Sequence, residues 1–551
     1  MSEPGPVLER LLDARGVPEE ERRRFLSPGW RNLPAAGCLP GVGEAVEAML
    51  PFIREGRKIV VFGDYDVDGM CACAIMLRTL SALGANVAGF LPDRFREGYG
   101  MSRAALDRLF AEHPDVALVM TVDNGISSAG EVEYLKSRGV EAIVTDHHLP
   151  GDELPNCVVV DPHVKPSEGC EDLCGAGVAY FLASHLVKRA KDEAMAVPAG
   201  ISGPLLVLAG LATVADVVPL VMCNRDIVKA SLELFDRFAP VGLTMLKQHS
   251  FKSAKPPTSL EYGFVLSPRI NAAGRMASAM DGLSLLMTND CDRARLLASR
   301  VEGLNALRKG AEAIIVAAAE RQIEKAPGKA AYTVFGEAFE GGEWTGREGE
   351  SRWHTGVVGI VAGRLSEALK VPVAVVAGLH GSVRAPEGYC IRGVLQSLSG
   401  MLVRFGGHAH AGGFTLKEGA EAEFAAAFEA ACAEQAQNAV ACAGESSEVM
   451  WLEPREVNED LWRAVEMLEP FGEGNPEPIF GIRGVHLKDV SVMGNEGKHL
   501  SCSFDRSLPH AVWWRHGNEV ERLRALHSTV DITFSLSKDD WGLELNLESL
   551  A

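Results

Sequence analysis

Three aspartates stand at alternate positions in Gly63-Asp64-Tyr65-Asp66-Val67-Asp68-Gly69. Carboxylates this close repel one another unless a cation neutralises them. Further along, Asp123-Asn124-Gly125, Asp146-His147-His148 and Asp161-Pro162 each close a short apolar run. Carboxylates mixed with imidazole suit divalent cations such as Mg2+ and Mn2+. Two such cations held side by side can clamp the attacking and leaving oxygens of a phosphoryl displacement. One acid at the end of a strand is ordinarily a helix cap or a turn residue. Acids at four strand ends favour a metal site. The rival motif is a calcium-binding EF-hand loop. Asp64, Asp66, Asp68 and Gly69 match four of its positions, but the place of its bidentate glutamate is taken by Ile75. The match also follows a strand rather than a helix. No Walker A, HExxH or GxSxG sequence is present. Gly175-Ala176-Gly177 is a partial glycine fingerprint without a strand before it, and reads as a helix-start turn.

The elements that must position these residues follow from hydrophobic runs. Residues 59–62, 116–122, 142–144 and 157–160 are short and almost wholly apolar, and amphipathic stretches at 102–112 and 128–138 separate them. A helical stretch covers 70–83. Continuous apolar strands alternating with helices predict a buried parallel sheet. In such sheets the ligand crevice lies at the carboxyl ends of the strands, where the acids are.

These motifs resemble a known family. Asp64-Tyr65-Asp66-Val67-Asp68-Gly69, Val122-Asp123-Asn124-Gly125, Asp146-His147-His148 and Thr213-Val214-Ala215-Asp216-Val217-Val218-Pro219 are similar to the four motifs of the DHH phosphoesterases. Pro268-Arg269-Ile270-Asn271-Ala272-Ala273-Gly274-Arg275 and Trp353-His354-Thr355-Gly356-Val357-Val358-Gly359-Ile360 resemble signatures of its RecJ branch. Phe405-Gly406-Gly407-His408 resembles the glycine-rich motif of a DHHA1 domain, and 471–478 the opening of a RecJ OB-fold domain. The resemblance implies a single-stranded-DNA-specific 5′→3′ exonuclease that releases 5′-mononucleotides in DNA repair and recombination. It implies that Asp64, Asp66, Asp68, Asp123, His147 and Asp216 hold two Mn2+ or Mg2+ ions, with Asp123 bridging. His148 would then contact the scissile phosphate; its alternative role is to orient His147 by a hydrogen bond.

An exonuclease must also recognise an end. Arginine suits a terminal phosphate because its planar fork grips two oxygens. The candidates are Arg275, Ser382, Arg384, and Arg94 or Arg96, with His408 as a further phosphate contact. A solvated ion pair competes with this role for Arg96, His410 reads as structural, and His354 divides evenly between a substrate-side and a core role.

The 551-residue chain leaves room for roughly three to four domains. It is expected to be an α/β protein: two α/β lobes (DHH and DHHA1) joined by a long helix, then a C-terminal β-barrel of the OB type. The expected divisions are a helical segment at 1–50, the catalytic domain at 51–290, the connector at 291–330, the second lobe at 331–445 and the barrel at 446–551. Residues 438–450 read as a linker. A composition of 47% hydrophobic and 23% charged residues excludes an intrinsically disordered chain. The net charge of −20 argues against non-specific binding to nucleic acid over the whole surface, though not against a local basic groove. Residues 451–551 hold ten Lys and Arg against eighteen Asp and Glu, an unusual balance for a nucleic-acid-binding barrel. Trp513 and Trp514 alternate across a strand, so one can stack on a base while the other packs inward; both serving packing is the even alternative.

The start of the chain has neither a basic nor an apolar leader region, and the apolar stretch at 204–221 is too interrupted to span a bilayer. Sparse, scattered cysteines predict reduced thiols in a cytoplasmic protein without structural zinc. The expected partner is single-stranded DNA, with a single-strand-binding protein and a RecQ-type helicase implied by the resemblance, no membrane, and a monomeric state. Two other readings share the metal motifs: a DHH phosphodiesterase acting on oligoribonucleotides or other small phosphoesters, and a non-catalytic replication scaffold. The first is typically shorter and lacks the connector and barrel. The second should have lost ligands that are all present here.

Overall fold

The computed structural model describes residues 6–550 apart from 95, 99, 252–254, 340–343, 345–349, 440–448, 495–496, 506–507, 527 and 540–541. Most of the 438–450 linker therefore lies outside the described residues, as does Tyr99.

The first lobe is built on a five-stranded, all-parallel sheet: β1 (Lys58–Phe62), β2 (Val87–Phe90), β3 (Val116–Val122), β4 (Glu141–Thr145) and β5 (Val158–Val160), in the order β2-β1-β3-β4-β5. Ile59, Val60, Val61 and Phe62 are all buried, as a strand covered by helices on both faces requires. Four of the strands carry the expected acids at their carboxyl ends. The strand at β2 is additional. Its four residues, Val-Ala-Gly-Phe, are too few and too mixed to stand out by pattern, and it leads into Asp93 and Arg94.

The second sheet comprises β6 (Tyr332–Gly336), β7 (Val373–Ala377), β8 (His380–Arg384), β9 (Leu402–Gly407) and β10 (Ala411–Leu416), ordered β6-β7-β8-β10-β9. Only the β6–β7 pair is parallel. The 33-residue helix Cys291–Ile323 joins the lobes. Asp290 caps its start by accepting from the Arg293 amide at 2.7 Å. Ala298 and Val301 pack in the first lobe's core, whereas Leu304, Ala311, Ile315 and Ala319 pack with Val334 and Val375 of the second. One helix thus ties the two cores together, spanning about 50 Å at about 1.5 Å per residue.

The C-terminal domain is one seven-stranded sheet: β11 (Met450–Trp451), β12 (Phe480–Val485), β13 (Leu487–Met493), β14 (His499–Phe504), β15 (His510–Trp513), β16 (Val530–Asp539) and β17 (Gly542–Leu550). β13 exposes most of its length and buries only Val490, so its alternation is faint. Trp513 packs inward and stacks on His516, while Trp514 stands outward and donates to the Asn546 side chain at 3.0 Å.

The N-terminal residues divide between two cores. Leu8, Leu11 and Leu12 of helix Pro6–Ala14 form a stripe buried against Leu461, Phe480 and Phe534 of the C-terminal domain. Helix Val42–Glu55 instead packs Val46, Met49 and Leu50 against the first sheet. The cysteines described are all free thiols. Among the described residues, no helix is long and apolar enough to cross a membrane.

Candidate active site

The ends of β1, β3 and β4 deliver their acids and His147 to one place, whereas Asp161 after β5 lies outside the cluster and accepts from the His163 amide at 2.7 Å. After β1 the chain turns into helix Val67–Ala82, and Asp66 caps that helix by accepting from the Gly69 amide at 3.1 Å. Asp64 accepts from the Tyr65 amide at 2.7 Å. Asp68 is oriented by backbone: its two oxygens accept from the amides of Gly175 and Ala176, both at 2.7 Å, which leaves each oxygen a lone pair for a cation. Those amides are the free donors at the start of helix Gly175–Asp192. A side chain at Gly175 is impossible, since a Cβ there would lie 2.5 Å from the Cβ of Asp123. The partial glycine fingerprint is thus a helix-start turn that clasps a ligand carboxylate.

Asp123 lies at the centre. It follows β3 with φ of 61°, a left-handed conformation rare for residues other than glycine. Burial pushes its carboxyl well above the ordinary range, and the charges of Asp68, Asp66, Asp64 and Asp216 push it further. Asp216 ends helix Ser202–Ala215 and is likewise raised, by burial and then by Asp68 and Asp66. His147 Nε2 lies 3.2 Å from Asp123 Oδ1, 3.6 Å from Asp216 Oδ2 and 3.7 Å from Asp68 Oδ2. Burial keeps that imidazole below its ordinary value, hence neutral, as a ligand must be.

Three triplets have ligand atoms within 4.8 Å of one another: Asp64, Asp66 and Asp123; Asp68, His147 and Asp216; Asp123, His147 and His148. All six residues expected to hold metal are among them. Asp123 Oδ1 and His147 Nε2 are buried and have no hydrogen-bond partner. Buried polar atoms are otherwise almost always satisfied. Five crowded carboxylates and an orphaned imidazole nitrogen fit divalent cations.

His148 is anchored differently. Asp146 accepts its Nδ1–H at 2.7 Å, and the same carboxylate accepts from the amides of Ile126, His147 and His148 at 2.9, 2.8 and 3.2 Å. Burial lowers the His148 pKa, but the Asp146 bond and charge, with Asp216 and Asp68, raise it to about 9. Burial raises Asp146, and the bond to His148 brings it below the ordinary range. Asp146 was visible only as the first letter of its motif; its role as the anchor of His148 emerges from the fold. Asn271 is a second such residue: its Oδ1 accepts from the Val67 amide at 3.0 Å, bracing the loop of the three aspartates.

The second lobe closes over this centre. His408, on the β9–β10 turn, lies parallel to His148 with ring centroids 6.2 Å apart. Near the aspartates gather arginines from three elements. Arg275 is held down to about 10 by burial and by Arg94, with Arg384 adding to the effect and Tyr65 and Asp66 opposing it. Arg94 lies over the Tyr65 ring at 4.6 Å. Ser382 and Arg384, on β8, lie against Gly359 in the first turn of helix Val358–Leu369: a Cβ there would be 3.4 Å from Ser382 Oγ and 3.5 Å from an Arg384 nitrogen. Arg94, Arg275 and Arg384 thus concentrate positive charge, with Arg384 at the first turn of a helix, an arrangement suited to an anion. Arg96 is not part of it; its side chain is 87% exposed beside Asp93 at 3.8 Å. His354 is buried, accepts from the Gly356 amide at 3.1 Å, and is held down to about 4 by burial and then by Arg94. His410 is exposed and lies 3.3 Å from the Pro386 carbonyl.

The crowded acids set a pH dependence. In the metal-free protein Asp64 is raised from the ordinary 3.8 to about 7, by burial and then by Asp66. A carboxyl whose folded value exceeds its unfolded value contributes stability below the unfolded value, and that stability is lost as pH rises through the folded one. Thermal stability in a chelator is therefore expected to fall from about pH 4 to about pH 7, while the gain on adding Mn2+ grows over the same window. Scanning calorimetry with and without Mn2+ checks this; a metal-induced gain that shrinks as pH rises would contradict it.

Known proteins share this arrangement. The family model for the DHH family, N-terminal domain, matches residues 58–210, the DHHA1 domain 328–434 and the RecJ OB domain 450–549. The single-stranded-DNA-specific exonuclease RecJ of Thermus thermophilus is 35% identical over 530 residues, covering 96% of this chain and 72% of the relative. The chain belongs to the RecJ family. It is with that family a metal-dependent exonuclease hydrolase. The RecJ of Escherichia coli is 33% identical, covering 86% of this chain and 83% of its own length. The crystal structure of Thermus thermophilus RecJ in complex with Mn2+ superposes with a TM-score of 0.82 at 31% identity, covering all of this chain and 76% of that one. A Mg2+ complex of the same RecJ gives 0.76 at 30% identity, covering all of this chain and 75% of that one.

Proposed function

We propose that this chain is a single-strand-specific 5′→3′ DNA exonuclease, hydrolysing phosphodiester bonds with two divalent ions to release 5′-mononucleotides. The observation that carries the reading is the pairing of two opposed sites. Five carboxylates and His147 converge in one lobe, and an arginine cluster faces them from the boundary with the other.

When bound, two Mn2+ or Mg2+ ions acidify a water and neutralise the scissile phosphate. Asp64, Asp66, Asp68, Asp123, His147 and Asp216 hold them, with Asp123 shared. Asp146 keeps His148 charged, so its Nε2–H donates to a phosphate oxygen as negative charge builds. His408, on the opposite lobe, contacts the same strand. Arg94, Arg275, Ser382 and Arg384 bind the terminal 5′-phosphate, which sets the distance from the end to the bond that breaks.

A flexible strand can enter between two lobes hinged on one helix, whereas a stiff duplex cannot. We further propose a cytoplasmic monomer acting in DNA repair and recombination, with a single-strand-binding protein and a RecQ-type helicase supplying its substrate; the free thiols suit a reducing compartment. The test is hydrolysis in Mn2+ of a 5′-phosphorylated single strand against a dinucleotide. Preference for the strand is expected. Preference for the dinucleotide would instead identify a small-substrate phosphodiesterase.

A further inference from the structure

The loop that carries Asp216 is strained; Asn224 of its own lobe donates to the Pro219 carbonyl at 3.0 Å, and the rest of its downstream support comes from another domain. Val217 has φ of 58°. This is an unfavourable conformation for a β-branched residue. The residue is 64% exposed, so packing of Val217 itself does not enforce the conformation. On the upstream side the loop is fixed by the end of helix Ser202–Ala215, through Asp216 N to Ala212 O at 2.9 Å.

On the downstream side the partner is the 471–475 turn of the C-terminal domain. The Leu220 amide donates to the Glu473 carbonyl at 2.7 Å. Gly472 and Gly474 lie flush against Leu220 and Pro219: a Cβ at Gly472 would be 2.7 Å from Leu220 Cδ1, and one at Gly474 3.1 Å from Pro219 Cβ. Gly474 also has φ of 69°.

The turn is itself rigid. The backbones of Gly472 and Asn475 exchange two hydrogen bonds of 3.1 Å, and buried Asn475 donates to the Leu468 and Pro470 carbonyls at 2.9 and 2.8 Å. The first lobe grips it from two more sides. Arg225 donates to the carbonyls of Leu468, Glu469 and Pro470 at 2.9, 3.0 and 3.2 Å, and Ser259 Oγ to that of Phe471 at 2.8 Å.

We infer that the 471–475 turn is a positioning element of the metal site: the C-terminal domain clamps Pro219 and Leu220, and so fixes where Asp216 meets the bound cation. The domain then contributes to metal affinity as well as to whatever it binds with its outer surface. The inference rests on the two-metal reading.

The test is calorimetric titration of Mn2+ into the metal-free full-length chain, comparing the unaltered protein with Gly474→Ala, which pushes a methyl group against Pro219. Outer supports of metal ligands typically tune affinity by about 10–100-fold. The variant is expected to bind one Mn2+ about tenfold or more weakly, to unfold cooperatively when metal-free, and to regain hydrolysis as Mn2+ is raised. Should Gly474→Ala not fold, Leu220→Ala removes the contact by truncation and carries the same expectation. Unchanged Mn2+ affinity in a folded variant, or activity lost without any shift in Mn2+ dependence, would overturn the inference while leaving the two-metal reading intact. Failure of the unaltered chain to take up two Mn2+ would sink both.

Discussion

Asp123→Asn is expected to abolish hydrolysis and yet to stabilise the metal-free protein. The substitution keeps the side chain's shape, and asparagine tolerates the φ of 61° better than most residues. It removes the charge at the centre of the ligand set. Loss of a shared ligand should cost about a thousandfold or more in rate, which is about 4 kcal/mol at 1.36 kcal/mol per decade. In the absence of metal the same charge is a liability, because burial and four neighbouring carboxylates already disfavour it. The variant's unfolding temperature in a chelator should therefore rise, whereas Mn2+ should stabilise it less than it stabilises the unaltered chain. Rates on a single-stranded oligonucleotide, with calorimetry in chelator and in Mn2+, check both halves. Near-normal turnover in Mn2+ would refute the ligand assignment. A large drop in metal-free stability would refute the electrostatic account.

Arg384→Ala should separate recognition of the end from chemistry. A hydrogen bond to a charged group is worth about 1.5–3 kcal/mol, so kcat/KM on 5′-phosphorylated strands should fall about 10- to 150-fold. On 5′-hydroxyl strands, which lack that contact, the fall should be much smaller, and kcat at saturation should change less than KM. The expectation draws on the packing of Arg384 and Ser382 against the first turn of helix Val358–Leu369, beside Arg275. Equal losses on the two substrates would remove Arg384 from the terminal-phosphate site.

Much of this was legible in the chain because the chemistry is punctuated by strand ends. Apolar runs closing on Asp64, Asp123, Asp146 and Asp161 declared both the sheet and the crevice. The connector is legible in a proline-free run with Leu297, Val301, Leu304, Ala311, Ile315 and Ala318 at helical spacing. Other features were hidden for identifiable reasons. The strand Val87–Phe90 is four residues long, and its role is fixed by pairing with β1 rather than by its own pattern. Asp146 looked like one more acid, and only three-dimensional contact shows all of its bonding turned toward His147, His148 and Ile126. The N-terminal segment was legible only as helical, since the core that its first helix completes begins more than four hundred residues later. Likewise, nothing local to Val217 or Gly474 announces that one loop supports the other.

The most direct test of the central claim is a time course on single-stranded and blunt duplex oligonucleotides carrying a label at either end, in Mn2+. The account expects labelled mononucleotides to appear first from a 5′ label, little activity on blunt duplex, and rates that decline as salt competes for the phosphates. Mononucleotides released first from a 3′ label, or equal rates on blunt duplex, would contradict it.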